Sequence, residues 1–202
     1  MRHSELIESL ERKKVLKSPR LIEAFTTVDR ADFVPHELES MAYEDRPLPI
    51  GAAQTISQPY TVAFMLELLQ PDSMDRVLDV GSGSGWTTAL LACVSKHVDA
   101  VERVEELVEF ARINLSKYSF ENISLHQAKR TLGLAGEHFD KILVSCAADE
   151  VPKALLQQLN PGGTMVIPIQ NSIVKLTKSE DGSLQAREYP GFVFVPLIID
   201  DV

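Results

Sequence analysis

The chain has 202 residues, 45% of them hydrophobic, and a formal charge of -9 at pH 7. This length suits one α/β domain with a sizeable core, and no apolar run approaches the roughly 18 residues of a membrane helix. The acidic balance argues against general nucleic-acid binding, which needs a basic face, and the N-terminus lacks the apolar core of a secretion signal. We therefore expect a single-domain cytoplasmic protein with no metal and no membrane or nucleic-acid partner.

Residues 1–70 are predicted to form a helical segment that precedes the sheet. Apolar residues at helical spacing predict helices from Ser4 to about Lys14 and from Arg20 to Val28. Proline and charged residues dominate positions 30–51, which predicts an extended loop on the surface. A third helix is predicted from Ser57 to Gln70, before the first strand of the sheet.

Residues 71–202 are predicted to form a Rossmann-like core, because strand and helix patterns alternate along them. This order predicts an α/β fold with a doubly wound, mainly parallel sheet of about seven strands and helices on both faces. Strands are expected near 76–80, 98–102, 123–126, 140–145 and 164–169, and helices near 86–95, 104–118 and 151–158. Pro161–Gly163 predicts a turn into the fifth strand, and two later runs, Ile173–Lys178 and Phe192–Leu197, predict antiparallel edge strands on either side of Asp181-Gly182.

The first core strand leads into a glycine-rich turn that predicts a nucleotide-cofactor site. Glycines at 81, 83 and 85 let the backbone bend tightly beneath a ligand, and their spacing differs from the G-x-G-x-x-G of dinucleotide sites. Glu102 closes the next strand, where its carboxylate can bind both hydroxyls of a ribose. Asp79 would oppose a pyrophosphate but suits the ammonium of an amino acid. The alternative is a tight strand-to-helix turn that binds no ligand.

This arrangement resembles motif I of S-adenosylmethionine-dependent methyltransferases. The resemblance implies S-adenosyl-L-methionine as the cofactor. It also assigns cofactor binding to residues of the turn and of the strands beside it, namely Asp79, Gly81, Ser82, Gly83, Gly85 and Glu102.

Three further stretches resemble the protein-L-isoaspartate O-methyltransferase family: Tyr43–Gly51, Gln54–Tyr60 and Phe194–Leu197. The resemblance covers nearly the whole chain. It implies methyl transfer to the free carboxylate of L-isoaspartyl and D-aspartyl residues in damaged proteins, which initiates repair through a succinimide. The expected partners are damaged proteins or peptides, and the expected state is a monomer or weak homo-oligomer.

The same resemblance gives roles to the loop before the third helix. It implies that this part of residues 1–70 is the substrate or active-site loop, and that Ser57 is the active-site hydroxyl, which orients the substrate carboxylate. Thr55 and Ile56 line the same loop and are expected to bind the cofactor. It also puts Tyr60 where the family often has a cofactor contact. The structural alternatives are that Ser57 caps the helix, with Pro59 at an early helical position, and that Tyr60 is a half-buried phenol.

One loop departs from the family pattern. The family normally has Gly-Asp-Gly after the third core strand, whereas this chain has Ala128, Lys129 and Arg130. An ammonium group has no lone pair to accept a hydrogen bond from the adenine amino group. Either the backbone of Lys129 and Arg130 still contributes to cofactor binding, or the loop is rebuilt, or the activity has changed. The alternatives are therefore a methyltransferase of the same lineage with another substrate, and a non-catalytic relative.

Overall fold

A seven-stranded sheet lies at the centre of the computed structural model, which describes residues 1–128 and 131–198. The strands of the protein are β1 Leu48–Gly51, β2 Gln54–Ile56, β3 Arg76–Val80, β4 His97–Glu102, β5 Ile123–Gln127, β6 Phe139–Val144, β7 Leu159–Ile169, β8 Ser172–Lys178 and β9 Leu184–Pro190. The large sheet has the order β5-β4-β3-β6-β7-β8-β9. Its first five strands are parallel, and β8 and β9 run antiparallel to their neighbours.

Helices cover both faces of this sheet. They are α1 His3–Arg12, α2 Pro19–Thr27, α3 Pro59–Leu69, α4 Trp86–Ala92, α5 Glu105–Leu115 and α6 Lys153–Gln158. Neighbouring residues of β3 point to opposite faces, so Val77 packs in one core cluster with apolar residues of α1 to α5. Leu78 packs in a second cluster with Leu155 of α6. This arrangement confirms the predicted mainly parallel, Rossmann-like sheet with an N-terminal helical extension.

The region predicted as an extended loop contains more structure than expected. Residues Arg30–Phe33 and His36–Met41 form short 3-10 helices, and β1 pairs with β2 as an antiparallel hairpin. The hairpin turn places Ala52 and Ala53 at positive φ, where glycine or asparagine is the usual residue. Because this turn lacks the usual Asn-Gly signal and β1 contains a proline, the sequence pattern did not reveal the hairpin.

Two predictions about the later strands were wrong. The strand β7 begins at Leu159, so Pro161–Gly163 lies within the strand at an irregularity in its pairing with β6, and does not precede it. The last edge strand is β9 and not Phe192–Leu197. Six of the seven residues of β9 are exposed, so it shows no apolar alternation that would mark it as a strand.

The Phe192–Leu197 segment instead runs past the loop that follows β6. Ala147 donates its N–H to the carbonyl of Val195 at 2.8 Å, and Leu197 donates its N–H to the carbonyl of Ala147 at 2.7 Å. These two bonds bring the segment to the carboxyl end of β6. Within the described part of the chain, no helix is both long and apolar enough to cross a bilayer.

Candidate active site

A cavity opens at the carboxyl ends of β3, β4 and β6, the edge where parallel α/β sheets bind their ligands. The volume of the cavity is about 150 Å³. The strand ends contribute Val80, Glu102 and Ser145, and the hairpin contributes Ile50 and Gln54. The sheet and the hairpin therefore form two walls of one cavity.

The glycine-rich turn forms the part of the cavity between β3 and α4. Gly81 donates its N–H to the carbonyl of Val101 at 2.8 Å, which joins the turn to β4. Gly83 has φ of +55°, and a Cβ at this position would lie 3.3 Å from Cδ1 of Ile50. The turn thus needs glycine at Gly83 both for its backbone angle and for close approach to the hairpin.

The carboxylate of Glu102 lies at the centre of this part of the site. It is 7% exposed and accepts hydrogen bonds from the N–H groups of Gly83 at 2.9 Å, Arg103 at 2.6 Å and Val104 at 2.9 Å. A carboxylate has about four acceptor positions, so one remains on Oε2 for a hydroxyl of a ligand. The predicted ribose contact at Glu102 is compatible with this geometry.

Asp79 is fully buried in β3 and is not among the residues that line the cavity. The hydroxyl of Thr88 donates to its Oδ2 at 2.7 Å, whereas Oδ1 has no hydrogen-bond partner among the described residues. Burial raises the pKa of Asp79 to about 7, the hydrogen bond from Thr88 opposes this shift, and the nearby charge of Glu102 adds to it. A cation bound near Asp79 would favour its charged form.

Ser57 lines the same cavity, together with Thr55 and Ile56. The helix α3 begins at Pro59 and its N-cap is Gln58, so the alternative interpretation of Ser57 as the cap was wrong. The half-buried Ser57 ends the hairpin, one residue after β2. Its hydroxyl is therefore not needed to start the helix.

Other predicted site residues lie elsewhere. Tyr60 does not line the cavity; its ring stacks on Phe64 with centroids 6.5 Å apart. Gly85 is the N-cap of α4 and packs near Leu115. Lys129 and Arg130 lie outside the described residues, although Ala128 beside them lines the cavity.

Several lining residues were not predicted as site residues. Val195, Pro196 and Leu197 form a wall of the cavity together with Ile198, although Phe192–Leu197 was predicted as an edge strand. Leu132 also lines the cavity, and its carbonyl accepts a hydrogen bond at 2.9 Å from the amide of the buried Gln158 in α6. The Phe194–Leu197 family motif was the available signal for the first group, whereas no local pattern marked Leu132.

Two buried donors of the cavity are compatible with a polar ligand. Ser82 Oγ and the indole nitrogen of Trp86 have no hydrogen-bond partner among the residues described. Buried donors in folded proteins nearly always find a partner, so an acceptor-bearing ligand would satisfy them. S-adenosylmethionine carries a carboxylate and a ribose, which fit these donors and Glu102. No group of three or more potential metal ligands is assembled in the described ranges.

Comparison with known proteins agrees with this geometry. The family model for protein-L-isoaspartate(D-aspartate) O-methyltransferase matches residues 1–201. The chain belongs to this family. A protein-L-isoaspartate O-methyltransferase from Methanothrix thermoacetophila is 44% identical over 98% of this chain and 95% of its own length. Another, from Methanopyrus kandleri, is 43% identical over 96% of this chain and 89% of its own length.

Solved structures show the same fold. A Plasmodium falciparum chain described as a protein-L-isoaspartate O-methyltransferase, in complex with S-adenosyl-L-homocysteine, superposes with a TM-score of 0.86. The two chains share 25% identity, and the match covers 99% of this chain and 100% of the other. Membership of the family confirms the predicted resemblance, the enzyme class and S-adenosylmethionine as the cofactor.

Proposed function

We propose that the protein transfers a methyl group from S-adenosylmethionine to the free carboxylate of L-isoaspartyl, and also D-aspartyl, residues in damaged proteins. The observation that carries this proposal is a single cavity lined by both the glycine-rich turn with Glu102 and the Thr55–Ser57 loop. The first part has groups suited to a nucleoside cofactor. The second belongs to the stretch that resembles the isoaspartyl family.

On the cofactor side, Glu102 would accept a hydrogen bond from one ribose hydroxyl at the free position on Oε2, and the backbone at Gly81 and Gly83 would allow the cofactor to approach closely. When bound, S-adenosylmethionine supplies an electrophilic methyl group on a positively charged sulfur. Ser82 and Trp86 have free buried donors for polar atoms of the same ligand. Val104 and Leu107, at the start of α5, give the cavity an apolar wall.

On the substrate side, the carboxylate to be methylated needs little activation. Its reference pKa is near 4, so it is ionised at pH 7 and requires no strong general base. Ser57 would donate a hydrogen bond to one carboxylate oxygen and hold the other in line with the methyl group. Catalysis in this proposal depends mainly on positioning. The neighbouring backbone nitrogen then attacks the ester carbonyl, which releases methanol and closes the succinimide.

The proposal is tested with a matched pair of peptides that differ only in isoaspartyl or normal aspartyl linkage. We expect ester formation from labelled S-adenosylmethionine on the isoaspartyl peptide and none on the aspartyl peptide. Equal labelling of the two would favour another substrate of the same enzyme lineage. Tight binding of S-adenosylhomocysteine in calorimetry without labelling of either peptide would also refute the assignment.

The finer setting of the reaction is also proposed. We place the protein in the cytoplasm, as a monomer or weak homo-oligomer that acts on exposed, flexible segments of damaged proteins. Light scattering across a concentration series checks the oligomeric state. A stable oligomer at nanomolar concentration would contradict this part of the proposal.

A further inference from the structure

Arg30 has an unusual environment for an arginine. Its side chain is 0% exposed, although it starts a short 3-10 helix near the surface loops of the N-terminal segment. Arginine is almost never fully buried unless its guanidinium is paired. Its hydrogen bonds in this structure run to backbone carbonyl groups of a distant part of the chain.

Four carbonyl groups surround this guanidinium. Nη1 donates to the carbonyl of Ala42 at 2.6 Å and to that of Glu44 at 3.4 Å. Nη2 donates to the carbonyl of Arg46 at 3.1 Å and to that of Ser57 at 3.0 Å. Only the rigid fork of a guanidinium can hold so many acceptors at fixed angles, because an ammonium is a compact point charge.

The last two bonds close the base of the β1–β2 hairpin. Arg46 precedes the hairpin and Ser57 follows it, so one nitrogen atom holds both ends together. Two neighbouring hydrogen bonds also join the ends of the hairpin. Gln58 Nε2 donates to the carbonyl of Asp45 at 3.0 Å, and the N–H of Tyr60 donates to Oδ1 of Asp45 at 2.8 Å. The carbonyl of Ser57 is thus fixed, and with it the backbone that directs the Ser57 hydroxyl.

The same guanidinium also reaches the cofactor side of the cavity. Its Cζ lies 5.3 Å from the ring centroid of Trp86, a cation–π distance. Trp86 is the first residue of α4, directly after the glycine-rich turn, and it lines the cavity. Arg30 is therefore in contact with both walls of the site without lining the cavity itself.

We propose that Arg30 is a positioning residue, which fixes Ser57 and the hairpin base relative to the cofactor turn so that the substrate carboxylate meets the methyl group in line. Burial lowers the pKa of Arg30 to about 10, partly offset by the nearby charge of Asp45, so the side chain remains charged at pH 7. This inference rests on the proposed function, since it concerns the alignment of the same two reactants.

The test compares Arg30→Lys and Arg30→Met with Lys178→Met. Lys178 also donates to a carbonyl, that of Leu159 at 2.7 Å, but it lies in β8 and outside the cavity lining. We expect both Arg30 variants to bind S-adenosylhomocysteine within about threefold of wild type and to lose about a hundredfold in kcat/KM for the isoaspartyl peptide, because misplacement by about 1 Å costs that much. Lys178→Met should keep the wild-type kcat/KM.

A second readout does not depend on turnover. Amide hydrogen exchange in residues 46–57 should become at least tenfold faster in Arg30→Lys and stay unchanged in Lys178→Met. Unchanged exchange there, or wild-type kcat/KM in a folded Arg30 variant, would overturn the inference. If wild type fails to methylate the peptide while Arg30→Lys still accelerates exchange in residues 46–57, the substrate assignment is wrong. The inference that Arg30 holds the base of the hairpin is then supported.

Discussion

The glycine-rich turn and the Thr55–Ser57 loop form two walls of one cavity, but they are held in place by different kinds of contact. Glu102 at the end of β4 accepts from Gly83 in the turn, 19 residues away, and both belong to the unit formed by β3, α4 and β4. At the loop, the carbonyl of Ser57 is held by Arg30, which is 27 residues away in a separate 3-10 helix. A local sequence motif can therefore specify the glycine-rich turn, whereas the position of the Thr55–Ser57 loop depends on tertiary contacts.

The two regions also contain different destabilising features. The strand β3, which leads into the turn, has a buried carboxylate, Asp79, with one oxygen lacking a partner among the described residues. The hairpin beside Ser57 has two consecutive alanines at positive φ, of +48° and +55°. One cost is electrostatic and depends on pH, while the other is conformational and does not.

The largest effect is expected for Asp79→Asn, which should remove the pH-dependent loss of stability and leave the conformational one unchanged. Between about pH 4 and pH 7 the folded Asp79 retains a proton that the unfolded chain has lost, because its pKa is raised to about 7. Stability therefore falls as pH rises through this window, by up to about 4 kcal/mol at about 1.4 kcal/mol per pKa unit. We expect Asp79→Asn to be more stable than wild type at pH 8 and similar at pH 4, in urea titrations without ligand.

The exposed Asp149→Asn provides the control, since it removes a carboxylate without a change in burial. Its stability difference from wild type should be small in the same titrations. A pH-independent effect of Asp79→Asn would show that the buried carboxylate is not the origin of the cost.

Glu102→Gln should weaken cofactor binding without a direct effect on the Thr55–Ser57 loop. The amide presents an NH2 group where the carboxylate accepts from three N–H donors, and hydrogen bonds to charged groups contribute about 1.5–3 kcal/mol. We expect the Kd for S-adenosylhomocysteine to rise about a hundredfold in calorimetry. The exposed Glu105→Gln at the start of α5 should leave this Kd unchanged. A similar loss in both variants would point to net charge instead.

Ser57→Ala should affect the other wall alone. It removes the hydroxyl but keeps the backbone carbonyl that Arg30 holds. We expect kcat/KM for the isoaspartyl peptide to fall about tenfold to a hundredfold, the range for one hydrogen bond to a charged group. Affinity for S-adenosylhomocysteine should stay within about twofold. Equal losses of cofactor affinity and turnover would mean that the two walls are not separable.

The smallest effect is expected for Ala53→Gly. Glycine adopts positive φ without a Cβ penalty, so the variant should gain about 0.5–1 kcal/mol in the free energy of unfolding. Ala154→Gly, the same substitution inside α6, should lose a similar amount because glycine is a poor helix former. The midpoints of urea unfolding measure both. A loss in Ala53→Gly would mean that the turn is not strained.

The sequence predicted the placement of the glycine turn and Glu102 because the pattern is local, whereas their role in cofactor binding stays a prediction. A buried strand, three glycines and an acidic residue at the next strand end are close in the chain, and the alternating pattern placed them at one sheet edge. The pattern failed where an element lacks apolar alternation. The exposed β9 went unnoticed, and the apolar Phe192–Leu197 run was predicted as a strand although the three residues at its end line the cavity.

Local chemistry in the sequence alone thus determined the sheet, the glycine turn and the position of Glu102. The resemblance to the family added Ser57, but no pattern indicated what would hold it. Only the tertiary structure decided that Arg30 closes the hairpin and contacts Trp86, and that Tyr60 stacks away from the cavity. The physical reason is that every residue has the same backbone carbonyl. Hydrogen bonds from Arg30 to such carbonyls therefore cannot be recognised from the pattern of side chains.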